Sequence, residues 1–165
     1  MGDNPRVTEL IRQLNLSPHP EGGWFRETWR GPTLAGGTHG DRASGTAILF
    51  LLAAGERSHW HTVDAEEMWL WQSGDPLMLH IAESDDGPIR TARLGTDVQA
   101  GEALQGFVPT GAWQAAEALA PGDGTHGYSL MTCVVVPGFE FSGFRLAKPG
   151  WSPGDGPSDS KVQKG

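Results

Sequence analysis

The chain is poor in the features that mark several broad classes of protein. It holds one cysteine, Cys133, in 165 residues. No internal disulfide can form, and the setting of Cys133 in the apolar run 130–136 predicts a buried, inert thiol. No N-terminal stretch pairs a basic region with an apolar run. The longest apolar segment, residues 47–54, is too short to cross a bilayer, so a cytoplasmic protein without a membrane partner is expected. Basic residues are few, 12 Lys and Arg against 20 Asp and Glu, for a formal charge of −8. Nucleic acid is therefore not an expected partner, because phosphate binding rests on clustered Lys and Arg. No phosphate-cradling glycine loop precedes a helix, no propeller or solenoid period is visible, and Ser58 beside His59 does not make a nucleophile triad.

Helical periodicity is scarce as well. Only residues 7–16 place apolar side chains (Val7, Leu10, Ile11, Leu14) at helical spacing, behind Asn4 as a cap and Pro5 in the first turn. What the chain does have is 24 glycines and 12 prolines spread along its length, a pattern of many turns. Between them lie strand-like runs at 24–29, 46–53, 58–61, 68–72, 77–81, 89–94, 107–108, 113–116 and 128–136. The expectation is one all-β domain, a sandwich or barrel spanning residues 1–147. The segment 31–45 reads as a long polar loop, and residues 148–165 as a disordered tail.

One constellation carries chemistry. His59 and His61 stand two residues apart, a spacing that on a regular strand puts both rings on one face and turns Trp60 the other way. Glu67 opens the following strand, so two imidazoles and one carboxylate can be aimed at one point. Two histidines and a carboxylate form a facial triad favoured by Fe(II) and acceptable to Zn, Mn or Ni. Alternation carries Trp69 and Trp71 onto the face of Glu67, as pocket lining or as core. Arg26 and Glu27 are neighbours on the 24–29 strand, so one faces inward; an inward Arg26 could clamp a carboxylate or phosphate. His80 is expected at the surface, His19 as a rigid turn element between two prolines, His39 and His126 as incidental loop residues, and Glu140 as solvated.

The pattern G-x3-H-x-H-x5-E-x6-G, from Gly55 to Gly74, resembles the first motif of the cupin superfamily, with one more residue than usual between His61 and Glu67. Pro109-Thr110-Gly111-Ala112-Trp113-Gln114 is similar to the second motif, with Gln114 where a fourth histidine ligand would stand. The phrases HPEGGWFRETWR (19–30) and VVVPGFEFSGF (134–144) resemble the uncharacterised cupin group Cupin_5. The resemblance implies a cupin-type jelly roll, or double-stranded β-helix, usually dimeric. It also implies a divalent ion held by His59, His61, Glu67 and Gln114, with Trp69, Trp71, Arg26 and Gln114 around a small-molecule ligand.

Three functions follow as expectations. The first is a metal-dependent enzyme acting on a small polar metabolite, carbohydrate-like or a carboxylate, with His59, His61 and Glu67 catalytic. The second is a metal-free epimerase or isomerase with a histidine base, for which the only tyrosine, Tyr128, is a poor candidate acid. The third is a non-catalytic binding module.

Overall fold

The computed structural model describes residues 4–37, 40–158 and 161–162; His39 lies outside them. The chain opens with α1 (Pro5–Gln13), capped by the Asn4 side chain accepting from the Arg6 N–H. The strands follow in order: β1 (Ser17–Pro18), β2 (Trp24–Arg30), β3 (Thr33–Gly37), β4 (Gly40–Ala43), β5 (Thr46–Ala53), β6 (Arg57–Val63) and β7 (Glu66–Gly74). They continue with β8 (Leu77–Ala82), β9 (Arg90–Leu94), β10 (Gln105–Val108), β11 (Trp113–Ala118), β12 (Tyr128–Val136), β13 (Phe144–Leu146) and β14 (Lys161–Val162).

Two six-stranded sheets, β1-β2-β5-β12-β7-β10 and β14-β13-β6-β11-β8-β9, pack face to face as a jelly roll. All pairings between named strands are antiparallel, and the inward residues alternate with outward ones as period 2 requires. Phe50, Leu52, Trp69, Leu79, Ile81 and Met131 form the centre of the core between the sheets. The apolar face of α1 covers one end of the outer surface of the first sheet, where Val7 packs with Leu51, Tyr128 and Leu130.

Two expectations need correction. The supposed loop 31–45 contains the hairpin β3–β4, whose strands are too polar and glycine-rich to register as strands by hydrophobic pattern. Within the supposed tail, Trp151 and Ser158 are buried. Trp151 is 3% exposed and lies 4.6 Å from Trp113, ring centre to ring centre. Its indole N–H donates to the Gly156 carbonyl, and the Ser158 N–H donates to Asp85. Beyond it, β14 pairs with β13. One large aromatic ring is enough to dock a segment whose composition otherwise reads as solvated.

Candidate functional site

The site begins at the turn after α1. The His19 N–H donates to the Gly23 carbonyl and the Gly22 N–H to the His19 carbonyl. Gly22 takes a φ of 108°, and its α-carbon lies against the Arg57 carbonyl, where no side chain fits. This close approach docks the turn on β6. The His59 N–H donates to the Glu21 carbonyl at 2.7 Å, and so leaves the ladder to β11. There β6 carries a bulge: Ser58 faces Ala116 and His61 faces Gln114, so His59 and Trp60 together oppose Ala115.

The bulge shifts the alternation of β6 by one residue. Ser58 and His61 both point inward, and His59 points out. The outward His59 lines a groove on the far side of the second sheet with Trp60, His80 and Trp151, and its Nε2 lies 3.0 Å from the Lys148 carbonyl. The expectation that His59 and His61 share a face is therefore overturned, and with it the triad built on them. His80 sits half-buried in the same outer groove, bonded to Thr91.

Inside, a cavity of about 100 Å³ is bounded by His19, Glu21, His61, Glu67 and Cys133, with Phe25, Phe139 and Phe141 toward its mouth. His61 is 2% exposed. Its Nδ1 lies 2.8 Å from the His59 carbonyl, which can only accept, so Nδ1 carries the proton and Nε2 is left as an acceptor. That Nε2 is 3.1 Å from Glu21 Oε2, while the Ser58 hydroxyl donates to Glu21 Oε1 at 2.9 Å. The Glu21 N–H in turn donates to His19 Nδ1 at 3.2 Å.

Electrostatics follow from burial. Loss of water pushes the Glu21 carboxyl up to about 8, against a small opposing pull from Ser58. It pushes Glu67 up to about 7, with His61 opposing and Glu21 adding to the rise. Burial lowers His61 and takes His19 down to about 3. The same loss of water, with the neighbouring carboxyls, raises the Cys133 thiol well above its usual value, so the expected inert thiol is what the site contains. Burial thus favours the uncharged forms of the site, protonated carboxyls and neutral imidazoles.

Gln114 does not offer its oxygen to the cavity. The Trp69 indole N–H donates to Gln114 Oε1 at 2.8 Å, and Gln114 Nε2 donates to Glu67 Oε2 at 2.6 Å. Fully buried, Gln114 is a relay that fixes Glu67 from below rather than a ligand. Trp69 is core, set edge-on to Phe50 at 5.6 Å. Trp71 packs against the same cluster and donates to the Asp75 carbonyl. Neither tryptophan lines the cavity. Arg26 is exposed and also outside the lining; Glu27 is its inward neighbour. A second bulge in β2, between Glu27 and Trp29, brings Arg30 inward too.

The expected ligand set of His59, His61, Glu67 and Gln114 does not converge on one point. Among the described residues no three His, Cys, Asp or Glu side chains converge on metal-ligating positions. The second imidazole of the expected triad faces the other side of the sheet, and the expected fourth ligand spends its oxygen on an indole.

Sequence reasoning missed Glu21 and took His19 as a turn element only. His19 makes the turn and also walls the cavity. The available signal was the phrase HPEGGWFRETWR itself, in which the turn and its two titratable residues are contiguous.

Fold and cavity together define a jelly-roll protein with an interior site that opens at one mouth. The chain belongs to the cupin superfamily, in the family described as Cupin superfamily (DUF985), which matches residues 8–147. An uncharacterised protein of Saccharomyces cerevisiae is 29% identical over 154 residues, spanning 86% of this chain and 75% of the yeast protein. Two solved structures are similar to it. A hypothetical protein from Leishmania major has 35% identity and a TM-score of 0.75, over 83% of this chain and 84% of that one. A protein from Shewanella oneidensis has 37% identity and a TM-score of 0.73, over 84% and 82%.

Proposed function

We propose that the cavity is an acid–base site that moves a proton on a small polar metabolite, with Glu21, His61 and Glu67 as the acting groups and no metal. The observation that carries this reading is the 3.1 Å approach of Glu21 Oε2 to His61 Nε2 at the buried end of a cavity that also presents Glu67. With Nδ1–H committed to the His59 carbonyl, His61 can take a proton only at Nε2, the nitrogen facing Glu21. Carboxyls tuned close to neutrality on the same wall allow one group to donate while another accepts, the arrangement acid–base catalysis requires at physiological pH.

The divalent-metal reading with Fe, Mn, Ni or Zn on His59, His61, Glu67 and Gln114 is disfavoured by the outward His59 and by the Gln114 oxygen being committed to Trp69. A cytoplasmic setting and a homodimer belong to the proposal as well. The helices of the described residues include none long and apolar enough to cross a membrane. On the outer face of the first sheet, Trp29, Ala47, Val134, Met68 and Phe107 lie in register across five strands, and Trp29 and Phe107 are close to half exposed. Such a row is suited to burial against a second copy.

The test is exchange of carbon-bound hydrogen. Tag-free protein is incubated in heavy water with small hydroxy, keto and amino metabolites, and deuterium uptake is read by mass spectrometry beside elemental metal analysis. Uptake that disappears in Glu67→Gln and His61→Ala supports the reading. Stoichiometric metal that is lost in His61→Ala restores the metalloenzyme, and tight binding without exchange leaves a binding module.

A further inference from the structure

The cavity's lining also has a charge pattern. Four glutamates border it, Glu21 and Glu67 inside and Glu27 and Glu140 at the mouth, against a single Arg or Lys among the described lining residues, Arg30. Arg30 is not free to greet an anion. Its Nε and Nη2 donate to the two oxygens of Glu27, both at 2.9 Å. Its Nη1 donates to Glu140 at 3.1 Å, and Nη2 also reaches the Phe139 carbonyl at 3.2 Å. A carboxylate or phosphate entering the mouth would have to displace a bidentate partner, and would pass two glutamates to do so.

The apolar part of the lining points the same way. Phe139 and Phe141 stand edge to face, with ring centres 5.0 Å apart, on the segment that also carries Glu140. Phe25 lines the cavity from β2. Ring faces beside carboxylates attract organic cations and repel anions. The volume of about 100 Å³ limits the occupant to a few heavy atoms, since an engineered cavity of about 150 Å³ holds benzene.

We infer that the cavity selects a small organic cation, an amine-bearing metabolite, over neutral or anionic molecules of the same size. The inference rests on the cavity being the ligand site. An entering ammonium favours the ionised forms of Glu67 and Glu21, whose protons pass to solvent; it passes Glu27 and Glu140 on the way in, while Arg30 serves as the cross-tie that holds the two mouth glutamates in place.

The experiment is calorimetric titration of the full chain, above pH 8 where both interior glutamates are ionised, with three probes of matched size, ethanolamine, ethylene glycol and glycolate, in wild type, Glu67→Gln and the double variant Glu27→Gln, Glu140→Gln. The expected result is ethanolamine binding at least about tenfold tighter than ethylene glycol, with no measurable glycolate binding. In the mouth double variant, whose changes lie at partly exposed positions, Arg30 is released: glycolate binding should appear and ethanolamine weaken about tenfold. Glycolate or ethylene glycol binding as well as ethanolamine in wild type, and weakening in Glu67→Gln, overturns the cation while keeping the cavity as the ligand site. Absence of any Glu67-dependent binding among the three overturns both.

Discussion

At the scale of the residue, the site depends on a few side chains whose roles are fixed by one hydrogen bond each. Gln114 is the clearest case. Its oxygen accepts from Trp69, so its nitrogen must face Glu67, and the amide cannot be turned without breaking both bonds. Gln114→Leu should leave a buried indole N–H and a buried carboxyl without this partner. The expected cost is about 1–3 kcal/mol of stability, read as a lower denaturation midpoint with an unchanged slope. A midpoint equal to wild type would show that the relay contributes nothing. From sequence, Gln114 could be located by its place in a motif, but not given this role, because the direction an amide faces depends on a tryptophan 45 positions away.

At the scale of the element, the β6 bulge decides which histidine belongs to the site. His59→Ala should leave ligand binding and hydrogen exchange within about twofold of wild type, while His61→Ala should abolish both. Equal losses in the two variants would mean that His59 reaches the cavity after all. Much of the fold was legible at this level: the apolar alternation of 46–53 and 128–136, the period of α1 and the glycine and proline punctuation all anticipate the observed elements. The bulge was not legible. A bulge is a mismatch in residue count between partners, here two residues of β6 against Ala115 of β11, and β6 alone does not display it. The extra residue between His61 and Glu67 was a visible irregularity in the same stretch, but nothing in it fixed which residue turns outward. Glu21 was overlooked for a related reason: its importance comes from the turn docking on β6 through the Glu21 carbonyl and the His59 N–H, a contact across 38 residues. The tail failed because composition averages over a segment, and a single Trp151 outweighs its polar neighbours.

At the scale of the whole molecule, two consequences can be measured. The apolar row on the first sheet predicts a homodimer, and Trp29→Glu should shift the sedimentation profile toward the monomer at micromolar concentration; a wild-type monomer would contradict it. The second is the dependence of stability on pH. Glu21 and Glu67 keep protons that the unfolded chain gives up near 4.5, and release them only near 8 and 7. His19 and His61 refuse protons that the unfolded chain takes up near 6.5. Between about 4.5 and 6.5 the two effects oppose each other; above 6.5 only the glutamates act, and stability should fall as pH rises toward 8. Below 4.5 the histidines, joined by the depressed carboxyls of Asp75, Asp85 and Glu102, make stability fall with falling pH. Glu21→Gln with Glu67→Gln should flatten the alkaline limb and leave the histidine slope unopposed between about 4.5 and 6.5. The most direct test of the proton-sharing cavity is a site-resolved titration of the glutamate carboxyl carbons by nuclear magnetic resonance. The prediction is two carboxyls that titrate near 7 and 8, and that vanish one at a time in the two single variants. If every glutamate titrates near 4.5, the cavity holds ordinary carboxylates and the acid–base site does not exist.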